Sequence, residues 1–379
     1  MEELRAKLAV HGQEHLLAFA DELSASERDS LVSELEQLDV AALQALFRVA
    51  TQQESLETHE VPVAPFPQSQ VFDVDNPEYA SWRQEGLRMA KQGECAVVLL
   101  AGGQGTRLGS KDPKGCYDIG LPSHASIFQL HAQRLLKVTQ LAGAEALPFL
   151  VMTSAPTHAK TVAFFEQNDF FGLPREHVHF FQQAQLPSFR LDDTASLMLK
   201  DKCSLAQSPD GNGGVFAALR NSGLLERLSQ RGVRYVQVFG VDNALAKVAD
   251  PAFFGLCSLQ NAQVGNKVVA KAHAHEKVGV MCMRHGDQPG VVEYSEISPA
   301  MAEQTDADGH FVYGDGNVVF HCFSLDFLRQ QSGTLPYHVA KKKIPTVNER
   351  GETVTPSSNN GIKLETFLFD VFARASRFL

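Results

Sequence analysis

Nothing in this sequence approaches the run of about 20 apolar residues that a membrane span requires. Positive charge is also in short supply: 34 Lys and Arg stand against 44 Asp and Glu, a formal net charge of −10. That balance argues against a diffuse nucleic-acid-binding face but leaves room for a local basic pocket for phosphates. The six cysteines (Cys95, Cys116, Cys203, Cys257, Cys282, Cys322) contain no C-x-x-C pair. Reduced, mostly buried thiols of a cytosolic protein are therefore expected, rather than a zinc site or redox pair. The N-terminus, MEELRAKLAVHGQEHLL, is acidic and amphipathic, unlike a signal or transit peptide. Internal repeats and low-complexity tracts are missing as well.

What is present is an ordinary globular composition, 44% hydrophobic and 21% charged, in a chain long enough for one large or two ordinary domains. The first fifty or so residues are helical by period, with Leu4, Leu8, Leu16 and Leu17 on one apolar face and Leu31, Leu35, Leu38, Leu43 and Leu46 on a second. Ser26 and Asp29 stand in capping-box order before that second helix. Pro62, Pro65 and Pro67 mark a wrapping arm, and 77–92 reads as an amphipathic helix around Tyr79, Trp82 and Leu87. The expected boundary falls here: a helical segment and arm over 1–93, and a catalytic domain over 94–379.

From residue 95 apolar runs alternate with helical patterns. CAVVLLA, PFLVMTS, VHFFQQ and YVQVFGV read as strands, with helices between them and one long helix at GVFAALRNSGLLERLSQRG. Such alternation means βαβ units and a sheet covered on both faces. From about 264 to 319 the segments VVAKAH, VGVMCM and VVEYSEI are short, and Gly286–Gly290 supplies a turn; antiparallel strands on one sheet edge are expected. LETFLFDVFARASRFL reads as a final amphipathic helix.

CAVVLLA runs into Gly102-Gly103-Gln104-Gly105-Thr106-Arg107-Leu108-Gly109. Glycines after a strand let the backbone approach a ligand and turn successive N–H groups toward an anion. Counted from Gly103, the last glycine of G-x-G-x-x-G is replaced by Leu108, so the dinucleotide fingerprint fails. Ser110-Lys111-Asp112 after Gly109 breaks the Walker pattern too. Arg107 and Lys114 remain, a bidentate fork and a point charge suited to a polyphosphate. Asp242, at the end of YVQVFGV, is either a cap for the next turn or an oxygen donor to Mg2+. Asp73-Val74-Asp75 reads as loop decoration, and His273 and His275 as strand residues without a metal cluster. Pro209-Asp210-Gly211-Asn212-Gly213-Gly214 precedes a helix, and an N-cap explains only part of it.

LAGGQGTRLG…PKG resembles the signature of UTP-dependent sugar pyrophosphorylases, and closely that of the eukaryotic UDP-N-acetylhexosamine pyrophosphorylases, with the vertebrate pyrophosphorylase-like branch nearest. FFQQ, SPDGNGG, GVDN, KVADP, VVEYSEIS, KKIP and NGIK are similar to that family's blocks, in its order. The resemblance implies a Rossmann-like, GT-A-like nucleotidyltransferase fold: α/β, with a mixed, mainly parallel sheet. It implies UTP and an N-acetylhexosamine 1-phosphate as substrates, Mg2+ on Asp242, and pyrophosphate held by Arg107 and Lys114. By the same resemblance Leu100, Ala101, Gly102, Gly103, Gln183, Gly211 and Lys363 meet the nucleotide, with Gln183 reading uracil and Lys363 touching phosphate. Asn212, Gly279, Glu293, Tyr294 and Asn317 would meet the sugar, Tyr294 being equally well explained by packing. Ala184, Gln185, Ser188, Ser208 and Gly240 depart from the family's usual residues. Family members continue with a further strand, an F-S-P-L-K-N block and a small domain that this sequence does not contain, so a UDP-sugar-binding form without turnover is the alternative, beside an enzyme for another sugar 1-phosphate. The expected compartment is the cytoplasm; a homodimer fits, and no nucleic-acid or membrane partner is expected.

Since Arg107 would serve the phosphates rather than the base, Arg107→Ala should cut turnover far more than it weakens uridine binding. Parallel measurement of kcat and of the Kd for UDP tests this; unchanged turnover removes Arg107 from the mechanism.

Overall fold

A computed structural model describes residues 1–57, 63–105, 109–110, 112–192, 194–331 and 335–379. The chain falls into two compact units. One gathers 1–60, 184–214 and 335–367; the other gathers 61–183, 215–334 and 368–379. This division departs from the boundary read at residue 93, and the reason is long-range burial that no local pattern reveals.

In the first unit the N-terminal helices α1 (Glu2–Ala9), α2 (Ala25–Glu36) and α3 (Val40–Glu57) surround a core of Leu8, Leu16, Leu31 and Leu35. Their apolar faces are closed by residues far along the chain: Phe189, Leu197, Leu199, Leu205, Ile362 and Leu364. The Gln13 amide ties the two parts together. Its Nε2 donates to the Ala195 carbonyl at 3.2 Å and its Oε1 accepts the Leu197 N–H at 2.9 Å. The capping box of α2 is formed by Ser24 and Glu27, not by Ser26 and Asp29. Ser24 has the extended backbone that an N-cap needs, and the Glu27 carboxylate reaches back to its N–H at 2.9 Å.

The second unit is built on a nine-stranded sheet. Its strands are β1 (Val63–Pro65), β2 (Cys95–Leu100), β3 (Phe149–Thr153), β4 (Val178–Gln182), β5 (Tyr235–Gly240), β6 (Val264–Ala270), β7 (Val280–Arg284), β8 (Gln288–Val292) and β9 (Asp315–Ser324). The central path runs β1-β7-β9-β5-β2-β3-β4, with β6 on β9 and β8 on β7. β5, β2, β3 and β4 are parallel to their neighbours in that group. β9 joins β5 antiparallel, which extends the sheet through the short strands expected at its edge. Cys95, Val97 and Leu99 of β2 enter one core with helices α4 (Tyr79–Lys91), α5 (Ile127–Ala142) and α9 (Pro251–Leu259), numbering helices in chain order with α6 (Ala155–Gln167), α7 (Val215–Asn221) and α8 (Leu224–Gln230) between them. Ala96 and Val98 are fully buried on the opposite face, as a parallel strand covered on both sides requires. α4 and α9 touch backbone to backbone: a Cβ at Gly255 would lie 1.8 Å from the Trp82 carbonyl oxygen, and one at Gly86 would lie 1.8 Å from that of Pro251.

Several local expectations change. The long helix over 214–232 is two, α7 and α8, broken at Gly223 with φ +70. The final amphipathic pattern is not one helix: Leu364 and Glu365 end a strand, Gly361–Glu365, that pairs with His338–Lys342, and a 3-10 turn, Leu368–Arg374, follows. Glu293 and Tyr294 lie just past β8 rather than within it, and His273 and His275 lie in a loop, where His275 meets Glu303 at 3.0 Å. No helix among the described residues is long and apolar enough to cross a membrane.

Two buried imidazoles carry a consequence for acid stability. Burial pushes His131 down to about 4 and His321 down to about 3, so both rings are neutral in the folded state. A depressed folded pKa gives stability that is present above the unfolded value of 6.5 and is lost as pH falls toward those lower values. The urea midpoint should therefore fall between pH 7 and pH 5, and less so in His321→Phe, whose ring would join Phe323 and Phe372. An equal fall in that variant would remove His321 as a cause.

Candidate active site

The parallel strands stand in the order β4-β3-β2-β5, so the direction of travel across the sheet reverses between β2 and β5. In open α/β sheets ligands bind outside the carboxyl ends of strands at such a switch point. Register puts Leu100 directly beside Gly240. Pairing continues one step further, with the Val241 N–H on the Leu100 carbonyl at 3.1 Å and the Ala101 N–H on the Met152 carbonyl at 2.7 Å. The glycine loop and the turn carrying Asp242 thus emerge side by side.

The loop folds back on itself. Gly103 accepts the Lys114 N–H at 3.2 Å, Gln104 bridges Pro113, and the Gly105 N–H donates to Asp112 at 2.9 Å. This antiparallel stem returns Lys114 to the root of the loop, its Cε 3.4 Å from where a Cβ on Gly103 would stand. Lys114 Nζ donates to Asp242 Oδ2 at 2.8 Å. The carboxylate side chain is 64% exposed, so the pair is open to solvent and to a competing anion or cation. Gly115 lies against the Phe128 ring, which a Cβ would enter at 2.2 Å, and this contact holds the returning strand of the loop to α5. Arg107 lies outside the described residues.

Gln183 follows β4 and is almost fully buried, with its N–H on the Thr153 carbonyl at 2.9 Å. A Cβ on Gly102 would lie 2.1 Å from Gln183 Oε1. The glycine is therefore required by the amide beside it as well as by any ligand. Ser154, the N-cap of α6, donates from its hydroxyl to the Gly102 carbonyl at 2.6 Å. Lys160 in α6 meets Asp112 at 2.6 Å, which adds a cation to the base of the loop. Sequence reasoning missed both; the Ser154-Ala155-Pro156-Thr157 start signal was there to be read. Behind the Asp242 turn, the His131 Nε2 stands 3.0 Å from the Val241 carbonyl oxygen. Cys116 is no ready nucleophile: partial burial, aided by Asp112, pushes its thiol up to about 11.

Three of the expected sugar residues meet in the same unit. The Asn317 N–H donates to the Gly279 carbonyl at 2.8 Å, and Glu293 Oε1 stands 2.9 Å from where a Cβ on Gly279 would be. Tyr294, half exposed, follows Glu293. Gly211, Asn212 and Lys363 belong to the other unit. There Gly211 has φ +90, and a Cβ on it would lie 2.3 Å from the Thr366 carbonyl oxygen. Gly213 donates to the same carbonyl at 3.0 Å, and a Cβ on Gly214 would meet Asp210 Oδ1 at 2.2 Å. All three glycines thus have packing reasons of their own. Lys363 sits opposite Ala340 in the strand that leads to Thr366.

For a magnesium ion the available donor is the exposed carboxylate of Asp242. Mg2+ commonly takes one or two carboxylates and completes its shell with substrate phosphates and water, so a single carboxylate beside a phosphate loop fits a metal that arrives with a nucleotide. The only His/Cys/Asp/Glu grouping with ligand spacing among the described residues, Asp306, Asp308 and His310, lies on an exposed loop elsewhere.

A glycine loop, a lysine and a carboxylate at the switch point of a Rossmann-ordered sheet suit the phosphates of a nucleotide, and relatives named pyrophosphorylases and diphosphorylases make the class a nucleotidyltransferase. The chain belongs to the UTP--glucose-1-phosphate uridylyltransferase family, whose model matches residues 41–377. It is similar to UDP-N-acetylhexosamine pyrophosphorylase-like protein 1 of Mus musculus, at 43% identity over 394 residues, covering 100% of this chain and 77% of that protein. The UDP-N-acetylglucosamine pyrophosphorylase of Saccharomyces cerevisiae is 40% identical over 378 residues, covering 95% of this chain and 79% of its own. Among solved structures, the uridine diphosphate N-acetylglucosamine pyrophosphorylase from Trypanosoma brucei in complex with inhibitor aligns with a TM-score of 0.80 at 33% identity, covering 97% of this chain and 74% of that one.

Gly102→Ala tests the geometry of the loop. The added methyl must displace the Gln183 amide, so UTP and UDP affinity should fall about tenfold or more, the scale of a lost hydrogen bond with a displaced partner. Calorimetric titration with UDP would show it, and wild-type affinity would mean that Gln183 plays no part in binding.

Proposed function

We propose that this chain transfers the uridylyl group of UTP to N-acetylglucosamine 1-phosphate, or to its galactosamine epimer, releasing pyrophosphate. The observation that carries this reading is the convergence of Gly102–Gly103, Lys114, Gln183 and Asp242 at the carboxyl ends of β2, β4 and β5 within one compact unit. Relatives at about 40% identity bear the name of that activity.

The sugar phosphate oxygen attacks the α-phosphorus in line, forming a new P–O bond as the bond to the β-phosphate oxygen breaks. Such transfer asks the protein mainly for positioning and charge neutralisation. Lys114 and Arg107 neutralise the departing pyrophosphate. Gln183 reads the imide edge of uracil, its amide offering one donor and one acceptor face. Leu100, Ala101 and the two glycines supply backbone along the nucleotide. Gly279, Glu293, Tyr294 and Asn317 select the sugar. Asp242 would hold Mg2+, which when bound offsets phosphate charge. Lys114 pairs with the Asp242 carboxylate, and nucleotide phosphates with their cation would exchange that pair for two new ones. We read the compartment as the cytoplasm, consistent with six unpaired cysteines, and a homodimer as the assembly.

Pyrophosphate release from UTP with N-acetylglucosamine, N-acetylgalactosamine and glucose 1-phosphates is the deciding assay. Turnover with an N-acetyl sugar and its dependence on Mg2+ are expected, and Lys114→Met should lower kcat by about 10²–10³, the scale for one electrostatic donor. Preference for glucose 1-phosphate would replace the substrate. UDP-sugar binding without pyrophosphate release would replace the enzyme with a binding protein.

A further inference from the structure

β9 is irregular where it matters most. On one side its residues 320–324 pair with β5, from Phe320 opposite Phe239 to Ser324 opposite Tyr235. On the other side His321 faces Asn266 and Asn317 faces Val268. Val318, Val319 and Phe320 therefore stand opposite the single residue Lys267, a bulge in an otherwise continuous ladder.

At the centre of the bulge Val319 has φ +52. Left-handed backbone is rare for any residue with a side chain and a marked outlier for a β-branched one. Such a conformation persists only where the surroundings impose it. Here both flanks are fixed. Phe320 is buried between Phe239 and Phe253, with the Lys267 ammonium 4.8 Å from its ring centroid. Asn317 is held by its N–H on the Gly279 carbonyl at 2.8 Å. The kink also turns the Val319 N–H onto Asn317 Oδ1 at 3.3 Å, and the Val319 side chain faces Gly240, two residues before Asp242.

We propose that the left-handed kink at Val319 is a positioning device. It aims the Asn317 side chain from the Gly279–Glu293 cluster toward the acceptor sugar, so that sugar selectivity depends on a residue that does not touch the substrate. This rests on the reading that Asn317 meets the N-acetylhexosamine. Bulges recur beside active sites because they re-aim a side chain without moving the rest of the strand. The Val319 N–H that the kink presents fixes one end of the Asn317 amide, and with it the face turned to a ligand.

The test compares UDP and UDP-N-acetylglucosamine binding by calorimetry in the wild type, Val319→Pro and Val319→Asn. Proline locks φ at about −65° and has no N–H for Asn317 Oδ1, so it removes the kink; asparagine tolerates the left-handed region and keeps it. The wild type should prefer UDP-N-acetylglucosamine to UDP. Val319→Pro should lose about tenfold in affinity for the sugar nucleotide, one hydrogen bond's worth, with UDP affinity unchanged, and Val319→Asn should hold the wild-type preference. Wild-type preference in Val319→Pro overturns the inference, and so does an equal loss in Val319→Asn, which would assign the effect to the valine side chain. A wild type that binds the two ligands alike instead overturns the sugar-site reading on which the inference stands.

Discussion

The structure hangs on the parallel pairing of β2 with β5. That ladder matches Cys95 to Tyr235 at one end and Leu100 to Gly240 at the other, and every residue in both strands is buried. Apolar side chains on both faces leave the pair no alternative register that would keep them from water. The loop leaving β2 and the turn leaving β5 consequently start at the same height. Lys114 and Asp242, 128 positions apart in the chain, come within 2.8 Å because of it.

Around this pair the fold supplies two kinds of rigidity. Backbone closeness is one: Gly102 makes room for the Gln183 amide, Gly115 for the Phe128 ring, and Gly255 and Gly86 for the crossing of α4 and α9. Buried polar anchoring is the other, seen in the His131 contact with Val241 and the Ser154 hydroxyl on Gly102. By contrast, Lys114 and the exposed Asp242 carboxylate, groups suited to phosphates and metal, pair with each other. Their ion pair contributes little to stability in solvent, which leaves them free to exchange partners when a ligand arrives.

The sugar-side cluster is assembled differently, from the antiparallel extension of the sheet. Gly279 precedes β7, Glu293 follows β8 and Asn317 closes the first pairing segment of β9. Three chain passes meet there because β7 pairs with both β8 and β9. Antiparallel neighbours tolerate bulges, and the strained Val319 lies where two pairing registers must be reconciled.

The sequence by itself determined the strands CAVVLLA, PFLVMTS, VHFFQQ and YVQVFGV, because uninterrupted apolar runs leave a fully buried strand as the economical structure. It also determined the glycine loop and its lysine, since local spacing carries that chemistry, and the motif blocks identified the family. Local signals failed where partners are distant. The helical period of 364–379 gave way at Leu364 and Glu365 to pairing with Val339 and His338, with a 3-10 turn after them, and the glycines of the PDGNGG block turned out to serve contacts with Thr366 and Asp210. Only the tertiary structure decided that the N-terminal helices belong with strands from 184–214 and 335–367, that Lys114 rests on Asp242, and that Val319 is strained. Each depends on contacts between residues far apart in the chain, and periodicity along one segment holds no information about which other segment will cover it.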